Sequence, residues 1–179
     1  AQESHFKVEP QFPRQGEKVN ITFDPAGTEL ESESAIEGIV YVSDQKGVAA
    51  LELPMKKSGK QFTGSFVVAD TALALSFAFI AGDKKETNQR KGYVVQVYDE
   101  KQQPVEGSGR ALYRLYNNMY DGYLAGIDQN TELAFTYIEK EYKAYPGDIK
   151  ANFPSYAAEV LKRKDERYQE LLLGELQKL

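Results

Sequence analysis

A seven-stranded antiparallel β-sandwich followed by antiparallel helical hairpins, a β + α chain, is the fold this sequence predicts, and three observations predict it. Apolar residues alternate with a period of two in the first part of the chain and recur at three- and four-residue steps in the second. Aromatic usage changes at the same place: seven of the nine Phe precede residue 100, whereas nine of the 12 Tyr follow residue 110. Between the two parts lies Gly107-Ser108-Gly109, a break with the composition of an interdomain hinge. The expected boundaries are 1–107 for the sandwich and 108–179 for the helical hairpins.

The strands come in order. Phe6–Pro10 opens the series. Val19, Ile21 and Phe23 alternate with Lys18, Asn20 and Thr22, which gives one apolar and one wet face. Ile36, Val40 and Val42 share the next face. Ala49, Leu51, Leu53 and Met55 follow, closed by a turn at Ser58-Gly59. Phe62, Phe66 and Val68 align around Gly64. Leu73, Leu75, Phe77 and Phe79 form the strongest stripe, opposed by Ala74, Ser76, Ala78 and Ile80, and small residues opposite large ones predict a strand buried on both sides. Tyr93, Val95 and Val97 form the last strand before a turn at Asp99–Gln103. Seven short strands at this spacing are the pattern of an immunoglobulin-like sandwich, here without the Cys and Trp of antibody domains.

The helices follow the same logic at a longer period. Leu112, Leu115, Tyr116, Met119, Tyr120, Tyr123 and Leu124 define a helix over Arg110–Ile127. Asp128-Gln129-Asn130 is a turn able to cap the next helix, which carries Leu133, Ala134, Tyr137, Ile138, Glu141 and Tyr142 and stops at Tyr145-Pro146-Gly147. A third helix is expected from about Pro154 through Lys164, and a fourth contains Tyr168, Leu171, Leu172, Leu176 and Leu179. Short connections make these antiparallel neighbours. Glu132–Pro146 resembles one helix of a tetratricopeptide (TPR-like) repeat without matching its full signature.

Composition excludes several chemistries. The chain of 179 residues carries 22 Lys and Arg against 27 Asp and Glu, a net charge of −5, so it gains nothing from counterion release and no nucleic-acid partner is expected. No apolar run reaches the roughly 18 residues of a membrane span. There is no Cys, which removes disulfides, thiolate catalysis and Cys-ligated zinc. The only His is His5, read as a solvated terminal residue, and no Gly-x-Ser-x-Gly elbow accompanies it, so a nucleophile–base pair is missing. Glu29, Glu31 and Glu33 could offer oxygen ligands, but the fixed spacing of a calcium loop is absent and they read as a solvated loop. Phosphate-binding glycine motifs are also absent. The expectation is a chain with no catalytic, cofactor or metal residues.

Two features are candidates for binding. The polar loop Gly82–Gly92 sits at an end of the expected sandwich, where it is either a binding loop or a solvated connection. Tyr113, Tyr116, Tyr120 and Tyr123 fall three, four and three residues apart, and most share one side of a helix. Tyr combines an apolar ring with a hydrogen-bonding tip, so this ladder either packs on the sandwich and the next helix or is an interaction surface for protein or glycan.

The run Ser58 to Val68 (Ser-Gly-Lys-Gln-Phe-Thr-Gly-Ser-Phe-Val-Val), Phe77-Ala-Phe79, Lys91-Gly92-Tyr93, Val97-Tyr98-Asp99 and Gln103-Pro104-Val105 together resemble one family. It is the N-terminal region of exported thioredoxin-like proteins of Gram-negative bacteria, the thiol-disulfide oxidoreductase relatives. There an Ig-like sandwich and helical hairpins precede a thioredoxin fold with a Cys-x-x-Cys pair. The resemblance implies a location in the periplasm or on the cell surface, a redox module beyond Leu179, and a downstream thioredoxin-like domain or client protein as partner. This chain departs from the family in having no Cys, so no catalytic residue carries over, and only Asp83 and Asn88 match the family's Asp/Asn-rich loop. The Ala-Gln start is what signal peptidase leaves, as a cloning boundary also would, and the helical pattern reaches Leu179 without a stop. The expected function is a non-catalytic accessory region; a stand-alone binding module for glycans or peptides is the alternative, and a small hydrolase the least supported.

Overall fold

Alternation turns Val19, Ile21 and Phe23 inward, each fully buried, and the same rule sets the remaining strands. The computed structural model describes residues 5–117, 119–163 and 166–177. Among them, nine strands precede five helices: β1 (Phe6–Glu9), β2 (Lys18–Phe23), β3 (Glu37–Ser43), β4 (Val48–Leu53), β5 (Lys56–Ser58), β6 (Gln61–Val67), β7 (Ala74–Ala81), β8 (Lys84–Glu86), β9 (Tyr93–Gln96), α1 (Ser108–Asn117), α2 (Met119–Ala125), α3 (Thr131–Ala144), α4 (Pro146–Arg163) and α5 (Glu166–Leu176). The chain is a mixed β and α protein.

The strands form two antiparallel sheets. One has the order β1-β2-β6-β5; in the other, β4-β3-β7 is followed by β8 and β9, which pair with different stretches of β7. Register places Val40 opposite Phe77 and Val42 opposite Leu75 in the second sheet, and Phe23 opposite Phe62 in the first. Val19, Ile21, Phe23 and Phe62 then join Val40, Leu75, Phe77 and Phe79 in one buried cluster, where Phe23 and Phe79 stack at 3.9 Å between ring centroids. On the opposite side of β7, Ala74 and Ala78 belong to a second cluster with Leu112, Leu115 and Tyr116 of α1. β7 is thus buried on both sides, as its pairing of large with small residues predicts.

Helix order follows the connections. The backbone N–H of Asn130, just before α3, donates to the carbonyl of Tyr116 near the end of α1, and the start of α1 meets Glu141 near the end of α3. α1 and α3 are therefore antiparallel. Asn130 caps α3 through its side chain, which accepts from the Leu133 N–H at 3.0 Å.

Two expectations need correction. Nine strands replace seven, because β5 and β8 are three-residue strands too short to show a period. The helix expected over 110–127 is described as α1 and α2, and residue 118 between them lies outside the described residues. The third helix begins at Pro146, not near Pro154: a proline that stops α3 also fits the first turn of α4, where its missing N–H is no loss. Pro154 lies inside that helix. Lys164 and Leu179 lie outside the described residues, as do the side chains of Met119, Tyr168 and Leu171.

Candidate interaction surface

Small side chains on the outer face of β7 let a helix approach closely, and α1 takes that place. Leu112 and Leu115 are 0% and 1% exposed against Tyr41, Leu73, Ala74 and Ala78. Arg114, on the same helix, reaches back to the β3–β4 hairpin. Its guanidinium donates to the carbonyl of Asp44 at 2.6 Å and pairs with Asp121 of α2 at 2.9 Å. One side chain thereby fixes a turn of the sheet and two helices.

The Gly107-Ser108-Gly109 break is not a free hinge. Ser108 is fully buried, and its hydroxyl accepts from the Gln96 amide at 3.0 Å. The backbone N–H groups of Gly107 and Gly109 both donate to the Glu141 carboxylate, the latter at 2.8 Å. First-turn amides of a helix have no partner within it, and an acidic group near them is favoured. Glu141 of α3 fills that role for α1. Burial pushes its carboxyl above the ordinary range; the two amides pull it back in part, Asp148 raises it further, and Arg110 lowers it. Arg110 in turn pairs with Asp148 of α4.

The four tyrosines divide. Tyr116 is buried and stacks on Tyr137 of α3, with centroids 6.0 Å apart, and burial first, then Tyr137, holds its hydroxyl well above the usual phenol value. Tyr113 packs edge-on against Phe135 at 5.5 Å and accepts from the Asn117 amide. Both are packing residues between α1 and α3. Tyr120 and Tyr123 of α2 are 72% and 81% exposed. The ladder therefore does not make one open face; only its second half is exposed.

The other sequence candidates fall elsewhere. His5 is half-buried, not a free terminal residue, with Nδ1 3.1 Å from the Asp24 carbonyl. Glu31 accepts from the Gly27 N–H and Glu33 pairs with Lys84 at 2.6 Å, so two of the three acidic residues serve a turn and an ion pair. No group of three or more His, Asp or Glu suited to a metal stands among the described residues. Gly82–Gly92 contains β8 and is clamped to the helices: Thr87 donates to the Gly126 carbonyl at 3.0 Å, and Arg90 pairs with Asp128 at 2.6 Å.

Sequence reasoning did not anticipate the apolar exposure at the far end of the helices. Tyr156, Val160 and Leu172 form a small buried cluster with Phe135, Ile138 and Tyr142, while Leu161 of α4 and Leu173 and Leu176 of α5 are 60%, 59% and 48% exposed. Leu173 and Leu176, three residues apart, share a helix face. No described helix is long and apolar enough to cross a membrane. No protein-family model matches the chain, and no curated protein is significantly similar to it.

Proposed function

We propose that this chain is a non-catalytic accessory region of an exported thioredoxin-like protein, acting in the periplasm or at the surface of a Gram-negative bacterium, where it positions a redox domain or contacts its client. The observation that carries this reading is the exposure of Leu161, Leu173 and Leu176 on the last two helices. A helical stack that ends in solvent needs a polar outer face, and these leucines suit a further packed element instead. The strand order supports the Ig-like part: β1-β2-β6-β5 reproduces the four-stranded sheet of that sandwich, with β3, β7 and β9 as the core of the other. The antiparallel pairing of α1 with α3 supports the TPR-like hairpin. The absence of Cys and of a nucleophile–base pair supports a role without chemistry of its own.

The test is the coding sequence downstream of Leu179. A Cys-x-x-Cys pair within a βαβ pattern is expected; a stop codon there overturns the reading in favour of a stand-alone module. One observation favours that second reading, a glycan- or peptide-binding module: Tyr120 and Tyr123, three apart on α2 and both open to solvent. Glycan-array binding lost in Tyr120→Ala would establish it.

A further inference from the structure

The start of β1, the turn after β2 and the 85–90 segment line a polar cavity of about 290 Å³. Glu86 lines it and is 9% exposed. Its Oε1 accepts from the Tyr93 hydroxyl at 3.1 Å and from the Asn88 backbone N–H at 2.5 Å. Both bonds fall on the same oxygen. Oε2 takes no hydrogen bond from the described residues, so one oxygen of a nearly buried carboxylate in the cavity wall is left to a ligand.

The rest of the wall is biased the same way. His5 also lines the cavity, with Nδ1 donating to the Asp24 carbonyl at 3.1 Å. Glu29, exposed on the rim, adds a second carboxylate. The two cations lining the cavity are engaged elsewhere: Arg90 pairs with Asp128 at 2.6 Å, and the Lys85 ammonium bonds the Tyr41 hydroxyl at 2.8 Å beside α2. The wall is also fixed in shape. Asn88, Gln89 and Arg90 hold φ of 59°, 52° and 65°, three successive left-handed residues, a conformation unfavourable for residues other than glycine. Backbone bonds from Lys91 to Asn88 and from Gly92 to Thr87 hold them there.

We propose that this cavity binds a small primary ammonium compound, with Glu86 Oε2 accepting from the ammonium and Glu29 attracting it at the rim. The ligand set contains no cluster suited to a metal ion among the described residues. The volume lies just below the range of about 300–1,000 Å³ for small-molecule pockets, which suits a ligand of few heavy atoms.

The test is an NMR titration of the ¹⁵N-labelled chain with ethylammonium chloride at constant ionic strength, with sodium propionate and glycerol as comparison probes. Saturable shifts are expected at His5 and through residues 85–93 with ethylammonium alone, and Glu86→Gln should weaken binding about tenfold, the scale of one charge-assisted hydrogen bond. No saturable shift, an equal response to glycerol, or wild-type affinity in Glu86→Gln would overturn the proposal. Should Glu86→Gln not fold, Glu29→Gln decides, because its side chain is exposed: weaker ethylammonium binding supports the site, and unchanged binding removes it.

Discussion

Glu141 sits on the apolar stripe of α3, between Ile138 and Tyr142, and is 3% exposed. A carboxylate is tolerated there because two backbone amides of another helix converge on it. Glu141→Gln keeps the shape but turns an NH₂ toward one of those donors, so it should lower stability by about 1–3 kcal/mol at neutral pH, measured by denaturant unfolding. The pH dependence has a definite sign. Because the folded-state value is raised, the folded chain takes up the proton first, so wild-type stability relative to Glu141→Gln should rise as pH falls through that value and level off below the ordinary carboxylate value of 4.5. A gap that narrowed on acidification would contradict the dominance of burial over the amide bonds. Phe77 offers the contrast. It is 1% exposed, with Phe6 and Phe66 rings 5.0 and 5.9 Å away, and Phe77→Ala should cost about 3–5 kcal/mol through the cavity it leaves; an unchanged melting temperature would refute its place in the core. Phe77 was legible in the sequence because period two is a local signal. Glu141 was not, since its partners lie 34 and 32 residues away; a charged residue on an apolar stripe was the one available clue.

At the scale of elements, local periodicity located every strand of four or more residues and most helices, and it failed where one residue serves two elements or where an element is too short to repeat. Pro146 both ends α3 and opens α4, so the sequence reads as a stop where the structure has a junction. β8 pairs with β7 through three residues only, inside what reads as a polar loop. Element packing also depends on close approaches that a sequence does not display. At Gly109, an added Cβ would lie 2.6 Å from the Tyr137 carbonyl oxygen and 2.8 Å from Glu141 Cβ, both on α3. Gly109→Ala therefore forces α1 away from α3 even though alanine is the better helix former. A loss of about 1–3 kcal/mol is expected from this overpacking. A stability gain, of the size that helix propensity alone would give, would mean that the two helices are not held at this distance.

The whole molecule follows from what covers the outer face of β7. Ala74, Ser76 and Ala78 announce in the sequence that something packs there, but not what; a Gly-Ser-Gly break beside it suggests two bodies on a hinge. In the structure the two parts are tied at several places. Besides the apolar seam, Arg114 bonds the β3–β4 turn, Gln96 bonds Ser108, Thr87 bonds Gly126 and the Tyr145 hydroxyl donates to the Pro104 carbonyl at 2.7 Å. Contacts spread in this way make the sheet face and the first helices one cooperative unit, because opening α1 alone would expose Tyr41 and Leu73 on the sheet together with Leu112 and Leu115 on the helix. Hydrogen exchange should accordingly give β7 and α1 amides the same opening free energy. Leu112→Ala should lower both together, by about 2–5 kcal/mol. If α1 lost protection while β7 kept its own, the helices would be a separately folding body, and the proposed role of holding a neighbouring domain at fixed orientation would fail. Equal loss in both is what the proposed positioning role requires, since a load applied at Leu173 and Leu176 reaches the sheets through α3 and α1, across this seam, and through the Tyr145–Pro104 bond.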